Sequence, residues 1–252
     1  MGYKLNKNWM LRKINIAVIG CGGTGSFIVD SLIGLDTALK QLGHQGLSVR
    51  MFDGSNVTPT NLIRQKFLPF QVGENKAKAL EFIANSLHEK DFVAVPEYFN
   101  ISNKYNNEVH TADLIITCVD KPSVRYALSQ LNNADTMWLD CGNGRSSGNV
   151  VLGDMKPKPQ KALPNICDLY DYSQLSDADS EVKSCSAEQS ISRQEFGVNQ
   201  HCASHAISIL WNLVRNGTID HHGVHFDLKA GTVDPIKVCE NEWLTYGYEL
   251  PV

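Results

Sequence analysis

The chain has 252 residues, 42% of them hydrophobic, and a formal net charge of −4, which suits one large α/β domain with a full core and excludes a general nucleic-acid or membrane-surface binder. No run approaches the ~20 apolar residues of a membrane-crossing helix, and the polar stretch from Met1 to Lys13 has no apolar signal core. Seven cysteines, an odd number, fit a reduced, cytoplasmic protein.

In chain order, Ile14 to Ile19 reads as an apolar strand and Thr24 to about Leu35 as a helix with Phe27, Ile28, Leu32 and Leu35 on its buried stripe. Leu47 to Phe52 is a second strand ending at Asp53, completing a βαβ unit. Pro59 to Phe67 reads as a short irregular helix, Glu74 to His88 as a longer one, and Phe92 to Val95 as a third strand. Asp113 to Val119 is nearly all apolar, which predicts a central fourth strand. Pro122 suits the first turn of a helix running to Asn132. Thr136 to Asp140 is a fifth strand, Gly142 to Gly148 a turn rich in Gly and Ser, and Asn149 to Met155 a further strand.

Pro157 to Gln194 is an acidic, Ser-rich excursion, and loops of that length are uncommon unless functional or disordered. A helix from about Val198 to Asn216 and strand-like runs between Gly223 and Lys237 follow. The expected fold class is α/β, a Rossmann-like doubly wound, mainly parallel sheet with antiparallel additions at the C-terminal side. The expected organisation is a single domain over 1–252, with a nucleotide-binding core at 14–155, a crossover segment at 156–197 and a C-terminal helix and strands at 198–252.

The glycines carry the first functional signal. Gly20 and Gly22 allow a tight turn and close backbone approach to phosphate, Gly23 extends that run, and Gly25 permits close helix–strand contact. Asp53 can hydrogen-bond a ribose diol, which fits NAD, FAD or ATP equally, or can simply form the turn Asp53-Gly54-Ser55-Asn56. The next polar residues separate the nucleotides. Asn61, Arg64 and Gln65 lie on about one helical turn, Lys76 opens the following helix, and Asp120 stands just past the fourth strand. Singly, each is an ordinary surface residue. Together they suit attack at the α-phosphate of ATP, with cations on the phosphate charge and a hard carboxylate for Mg²⁺.

The series Gly20-Cys-Gly-Gly-Thr-Gly25, Asp53, Asn61-Leu-Ile-Arg64-Gln65, Gly73-Glu-Asn-Lys76 and Cys118-Val-Asp120 resembles the ThiF/MoeB/HesA superfamily of ubiquitin-activating-enzyme-like adenylating proteins. The resemblance covers roughly Asn15 to Gly153, and Asn-Leu-x-Arg-Gln is its most diagnostic piece. Leu163 to Tyr170, Ser184-Cys185-Ser186 and the helix around Leu210-Trp211 resemble a narrower group, the ThiF-like protein of PRTRC systems. Those gene clusters also encode ubiquitin-like, conjugating-enzyme-like and JAB-peptidase-like proteins.

The resemblance implies an adenylyltransferase that uses ATP and Mg²⁺ to activate the C-terminal carboxylate of a ubiquitin-like β-grasp protein. It implies a homodimer, and a conjugating-enzyme-like protein as a further partner. Gly22, Gly23, Asp53, Asn61, Arg64, Gln65 and Lys76 then bind ATP, and Asp120 holds the metal. The partner's tail would run toward Asp120 past Asn143 and Arg145. Cys185 is the best candidate acyl acceptor, ahead of Cys167 and Cys202.

Three departures stand against it. Ser55 replaces a second acid after the second strand, the chain has no Cys-x-x-Cys pair, and Arg12, the only arginine before the glycine turn, sits too close to the first strand to serve a partner subunit. His201, Cys202, His205, His221, His222 and His225 offer a substitute zinc set on paper, but a helix with partly buried polar residues is the plainer reading. Two other functions stay open. One is a non-catalytic nucleotide-binding scaffold. The other is an NAD-dependent oxidoreductase, for which no hydride-transfer site is apparent.

Overall fold

The computed structural model describes residues 2–5, 8–100, 109–131, 135–155, 162–177 and 194–249. The strands are β1 (Tyr3–Lys4), β2 (Ile14–Ile19), β3 (Leu47–Phe52), β4 (Val93–Val95), β5 (Leu114–Thr117), β6 (Met137–Asn143), β7 (Ser147–Asp154), β8 (Thr218–Ile219), β9 (His221–Asp227) and β10 (Thr232–Lys237). The helices are α1 (Gly23–Gln41), α2 (Lys76–Phe82), α3 (Pro122–Ser129), α4 (Ile166–Leu169), α5 (Val198–Asn216) and α6 (Glu240–Trp243).

The main sheet has the order β10-β9-β7-β6-β5-β2-β3-β4. Strands β4, β3, β2, β5 and β6 are parallel, and β7, β9 and β10 add antiparallel to one edge. This is the α/β architecture the sequence predicts. Side-chain alternation splits the core into two layers. Ile14, Ile16 and Val18 of β2, with Leu114 and Ile116 of β5, pack under α1, α2 and α5. Ala17, Ile19 and Ile115 face the opposite layer with Leu128 of α3 and Ile166 of α4. Among the described residues no helix is long and apolar enough to cross a membrane.

Several boundaries differ from the sequence reading. Helix α1 runs past Leu35 to Gln41. Leu39 continues its buried stripe, and the buried Asp36 accepts from the Leu47 backbone at 2.8 Å while pairing with Lys90 and Lys40, each at 2.9 Å. Asn75 caps α2, and a π-helical turn over Ile83–Leu87 follows it, so the predicted helix to His88 is split in two. Helix α3 ends at Ser129, short of Asn132, which lies outside the described residues. The Gly- and Ser-rich stretch is mostly strand, because β6 and β7 pair as far as Asn143↔Gly148. Within 157–194 the described part includes the short helix α4.

Candidate functional site

The site lies at the C-terminal ends of β2 and β5, where strand order reverses in this sheet and open α/β folds form a crevice. Gly20 has φ +92°, and a Cβ there would sit 2.6 Å from the Cys118 carbonyl oxygen and 3.1 Å from Val119 Cγ1. The segment leading to Asp120 is therefore pressed against the glycine turn. A Cβ on Gly25 would overlap the Gly20 carbonyl oxygen, so helix and turn meet only through glycine. Gly22 has open space where a Cβ would point. No side chain caps α1, which leaves its first-turn N–H groups for an anion or water.

Asp53 is 8% exposed, and both of its oxygens are engaged. Oδ2 accepts from the Cys21 N–H at 2.8 Å, and Oδ1 accepts from the Ser55 N–H at 2.8 Å and from the Ser55 hydroxyl. The serine that stands where a second acid was expected thus orients the first. Asn75 Nδ2 donates to the Asp53 and Ser55 carbonyls at 2.8 and 3.2 Å, and the Lys76 N–H donates to Ser55 O at 2.9 Å. These bonds fix the start of α2 against the turn. Burial first, then Asp53, pushes the Cys21 thiol well up, and the Lys76 ammonium opposes that rise.

The Asn61–Gln65 string has three different fates. Asn61 Oδ1 accepts from the Thr58 N–H at 2.9 Å and closes a 3₁₀ turn over Pro59–Ile63. Arg64 Nη1 donates to Gln194 Oε1. Gln65 lines a groove of about 320 Å³ with Val29, Ile33, Phe67 and Leu80, and its buried Oε1 has no hydrogen-bond partner among the described residues. Asp120 is exposed and accepts no hydrogen bond among the described residues. Cys185 lies outside the described residues.

A carboxamide network escaped the sequence reading. Asn199 accepts at Oδ1 from Asn143 Nδ2 at 2.7 Å and from Thr24 Oγ1 at 3.1 Å, and its Nδ2 donates to Gln194 Oε1 at 2.9 Å. Polar side chains on three separated segments carry no periodic signal, so a single sequence does not group them. A second polar cluster lies in the opposite layer. Asp140 Oδ1 accepts from Arg125 Nε at 2.8 Å and from the Thr117 hydroxyl, and Trp138 Nε1 donates to Thr117 Oγ1 at 2.8 Å. Burial works against the Arg125 charge, but Asp140 and Tyr172 raise its pKa overall.

The remaining candidates resolve into structural roles. Arg12 makes a two-pronged pair with Asp113, whose Oδ2 also accepts from the Asn15 N–H at 2.8 Å, at the end of β2 away from the glycine turn. His222 Nδ1 donates to Leu152 O at 2.7 Å, and its Nε2 accepts from Trp243 Nε1 at 2.9 Å. His201 and His205 lean on the Phe226 ring, with centroids 6.5 and 5.4 Å away. No group of three metal-ligating side chains occurs among the described residues. Burial pushes the Cys167 thiol up to about 12, and the side-chain hydrogen bond with Cys141, followed by burial, raises the Cys202 thiol well above its ordinary value.

A model of the ThiF family matches residues 5–242. Ubiquitin-like modifier-activating enzyme 5 of Rattus norvegicus and that of Mus musculus are each 26% identical over 161 residues, which cover 58% of this chain and 36% of theirs. The chain thus spans about a third of those relatives' length. Among solved structures, PaaA superposes with a TM-score of 0.65 at 15% identity, covering 91% of this chain and 65% of that one. E. coli MccB crystallised with ATP gives 0.61 at 16% identity, covering 90% and 64%. At such identities the two structures speak for the fold.

Proposed function

The chain belongs to the ThiF family, and from that premise we propose that it is an adenylating enzyme acting on the C-terminal carboxylate of a ubiquitin-like protein. In this reading ATP lies over the glycine turn. A carboxylate oxygen of the partner attacks the α-phosphorus, a new P–O bond forms, the α–β phosphoanhydride breaks, and pyrophosphate leaves with the electron pair. The acyl-adenylate can then be taken by a thiolate, releasing AMP, and Cys185 is the candidate for that later transfer.

The supporting observation is that two cationic residues are anchored beside one glycine turn. The backbone of Lys76 is held by the Asp53–Ser55 turn, and the guanidinium of Arg64 by Gln194 and Asn199. A dinucleotide site relies mainly on backbone N–H groups and needs neither cation, whereas a triphosphate is neutralised by both. Asp53 keeps lone-pair capacity for a ribose hydroxyl beside its bonds to Cys21 and Ser55. Asn61 Nδ2 and the first-turn N–H groups of α1 serve as further donors.

Asp120 fits a magnesium ligand. It is an exposed, hard oxygen donor that accepts no hydrogen bond among the described residues, on a segment pressed against the glycine turn. When bound, Mg²⁺ would neutralise charge on the departing pyrophosphate. The narrower likeness of Leu163 to Tyr170 to the PRTRC-system protein supports a β-grasp partner from the same gene cluster; the same proposal includes a homodimer, after the wider superfamily, and a cytoplasmic site of action, after the odd number of cysteines.

The test is partner-dependent ATP–pyrophosphate exchange with such a β-grasp protein. Wild type is expected to exchange, and Asp120→Ala to lose exchange with an unchanged melting temperature. Loss of covalent transfer in Cys185→Ala with exchange retained would assign the thiol. Absence of exchange in wild type with a competent partner, or full exchange in Asp120→Ala, would overturn the reading.

A further inference from the structure

The start of α5 belongs to the nucleotide site: we propose that Asn199 is a positioning residue that holds Arg64 to the glycine turn through Gln194. The inference rests on the adenylation reading for its ligand and extends it to a segment beyond the crossover. Asn199 is 4% exposed, and the two ends of its carboxamide face different elements. Its oxygen faces the turn side, accepting from Thr24 and Asn143 at 3.1 and 2.7 Å. Its nitrogen faces acceptors only, Gln194 Oε1 at 2.9 Å and the Arg64 carbonyl at 3.5 Å. Gln194 Oε1 is shared, because it also accepts from Arg64 Nη1.

Only one orientation of the Asn199 amide satisfies both sides, since a flip would set its NH₂ against the Asn143 donor and its oxygen against two acceptors. Close approach was reserved for it as well, because a Cβ on Gly23 would lie 2.5 Å from Asn199 Oδ1. Its helix neighbours Val198 and Cys202 are buried apolar residues, so anchoring α5 does not itself call for a carboxamide. What the carboxamide adds is a connection from Thr24, at the first turn of α1, to the guanidinium of Arg64.

The test is a double-mutant cycle on ATP·Mg²⁺ affinity, measured by calorimetry on the full chain with thermal melts alongside. Asn199→Ala is expected to weaken binding roughly tenfold in the wild-type background, and less than about twofold in an Arg64→Ala background, because the lost contact acts through Arg64. Gln194→Leu, at a half-exposed position that folding tolerates, should weaken binding similarly and make Asn199→Ala nearly silent. Equal losses in both backgrounds, or unchanged affinity in Asn199→Ala and Gln194→Leu, would overturn the inference while leaving adenylation standing. Wild type that binds no ATP would defeat the adenylation reading and this inference with it.

Discussion

The carboxylate of Asp53 accepts a hydrogen bond from the backbone N–H of Cys21 at 2.8 Å, so the acid that ends β3 fastens the turn that ends β2. The same residue is proposed to hold the ribose, which couples turn geometry to nucleotide affinity. Asp53→Asn keeps one acceptor oxygen and points an NH₂ at a donor on the other side. It is expected to lower stability by about 1–3 kcal/mol and to weaken ATP binding about tenfold. Urea unfolding and calorimetry on one preparation check both. An unchanged midpoint would mean that the turn holds without this bond.

The buried pair in the opposite layer gives a stability prediction independent of the nucleotide. Asp140 is fully buried, and its Oδ2 already has no hydrogen-bond partner among the described residues. Arg125→Met would leave the carboxylate with the Thr117 hydroxyl alone, at an expected loss of about 3–5 kcal/mol. Arg125→Met combined with Asp140→Leu should recover most of that, since apolar replacements of buried ion pairs are often neutral. A single-variant loss below about 1 kcal/mol in urea unfolding would show that the pair carries little.

His222 predicts an acid sensitivity. Burial pushes its pKa down to about 4, against the opposing influence of its bond to Leu152, while the unfolded chain titrates near 6.5. Between those values the unfolded state takes a proton that the folded state refuses. Stability therefore falls as pH drops from about 6.5 to about 4, by up to about 3 kcal/mol. Asp168 has the opposite sign. Burial raises its pKa to about 6, so its contribution is present below the ordinary carboxylate value near 3.9 and is lost as pH rises toward 6. The difference in stability between wild type and His222→Gln across this range isolates the histidine. Wild type should lose ground to the variant on acidification, and parallel profiles would refute the assignment.

Local rules made much of the fold legible before any coordinates. Strands β2 and β3 and helix α5 have the bounds that hydrophobic period and turn residues predict, and the parallel core follows from the βαβ pattern, while the short β6–β7 and β9–β10 connections make the edge antiparallel. The misreadings arise where tertiary contacts override local composition. Strand β6 continues through Gly142 because β7 supplies its ladder partners, and α1 outruns its first apolar stripe because Lys90 and Leu47 secure Asp36. The candidate site was legible as a set of residue types, and less so as contacts. The Ser55–Asp53 contact is local, closing the Asp53-Gly54-Ser55-Asn56 turn, whereas the pairing of Arg12 with Asp113 and the joining of Thr24 to Gln194 by Asn199 depend on long-range packing, which no local pattern encodes.

The central claim is that Arg64 and Lys76 serve a triphosphate beside the Gly20–Gly25 turn, and calorimetric titration with ATP·Mg²⁺ against NAD tests it most directly. The account predicts binding of ATP·Mg²⁺ and not of NAD, with Arg64→Ala and Lys76→Ala each weakening affinity about tenfold or more, as loss of a charge-assisted contact entails. Binding of NAD in preference to ATP, or ATP affinity indifferent to both substitutions, would contradict it.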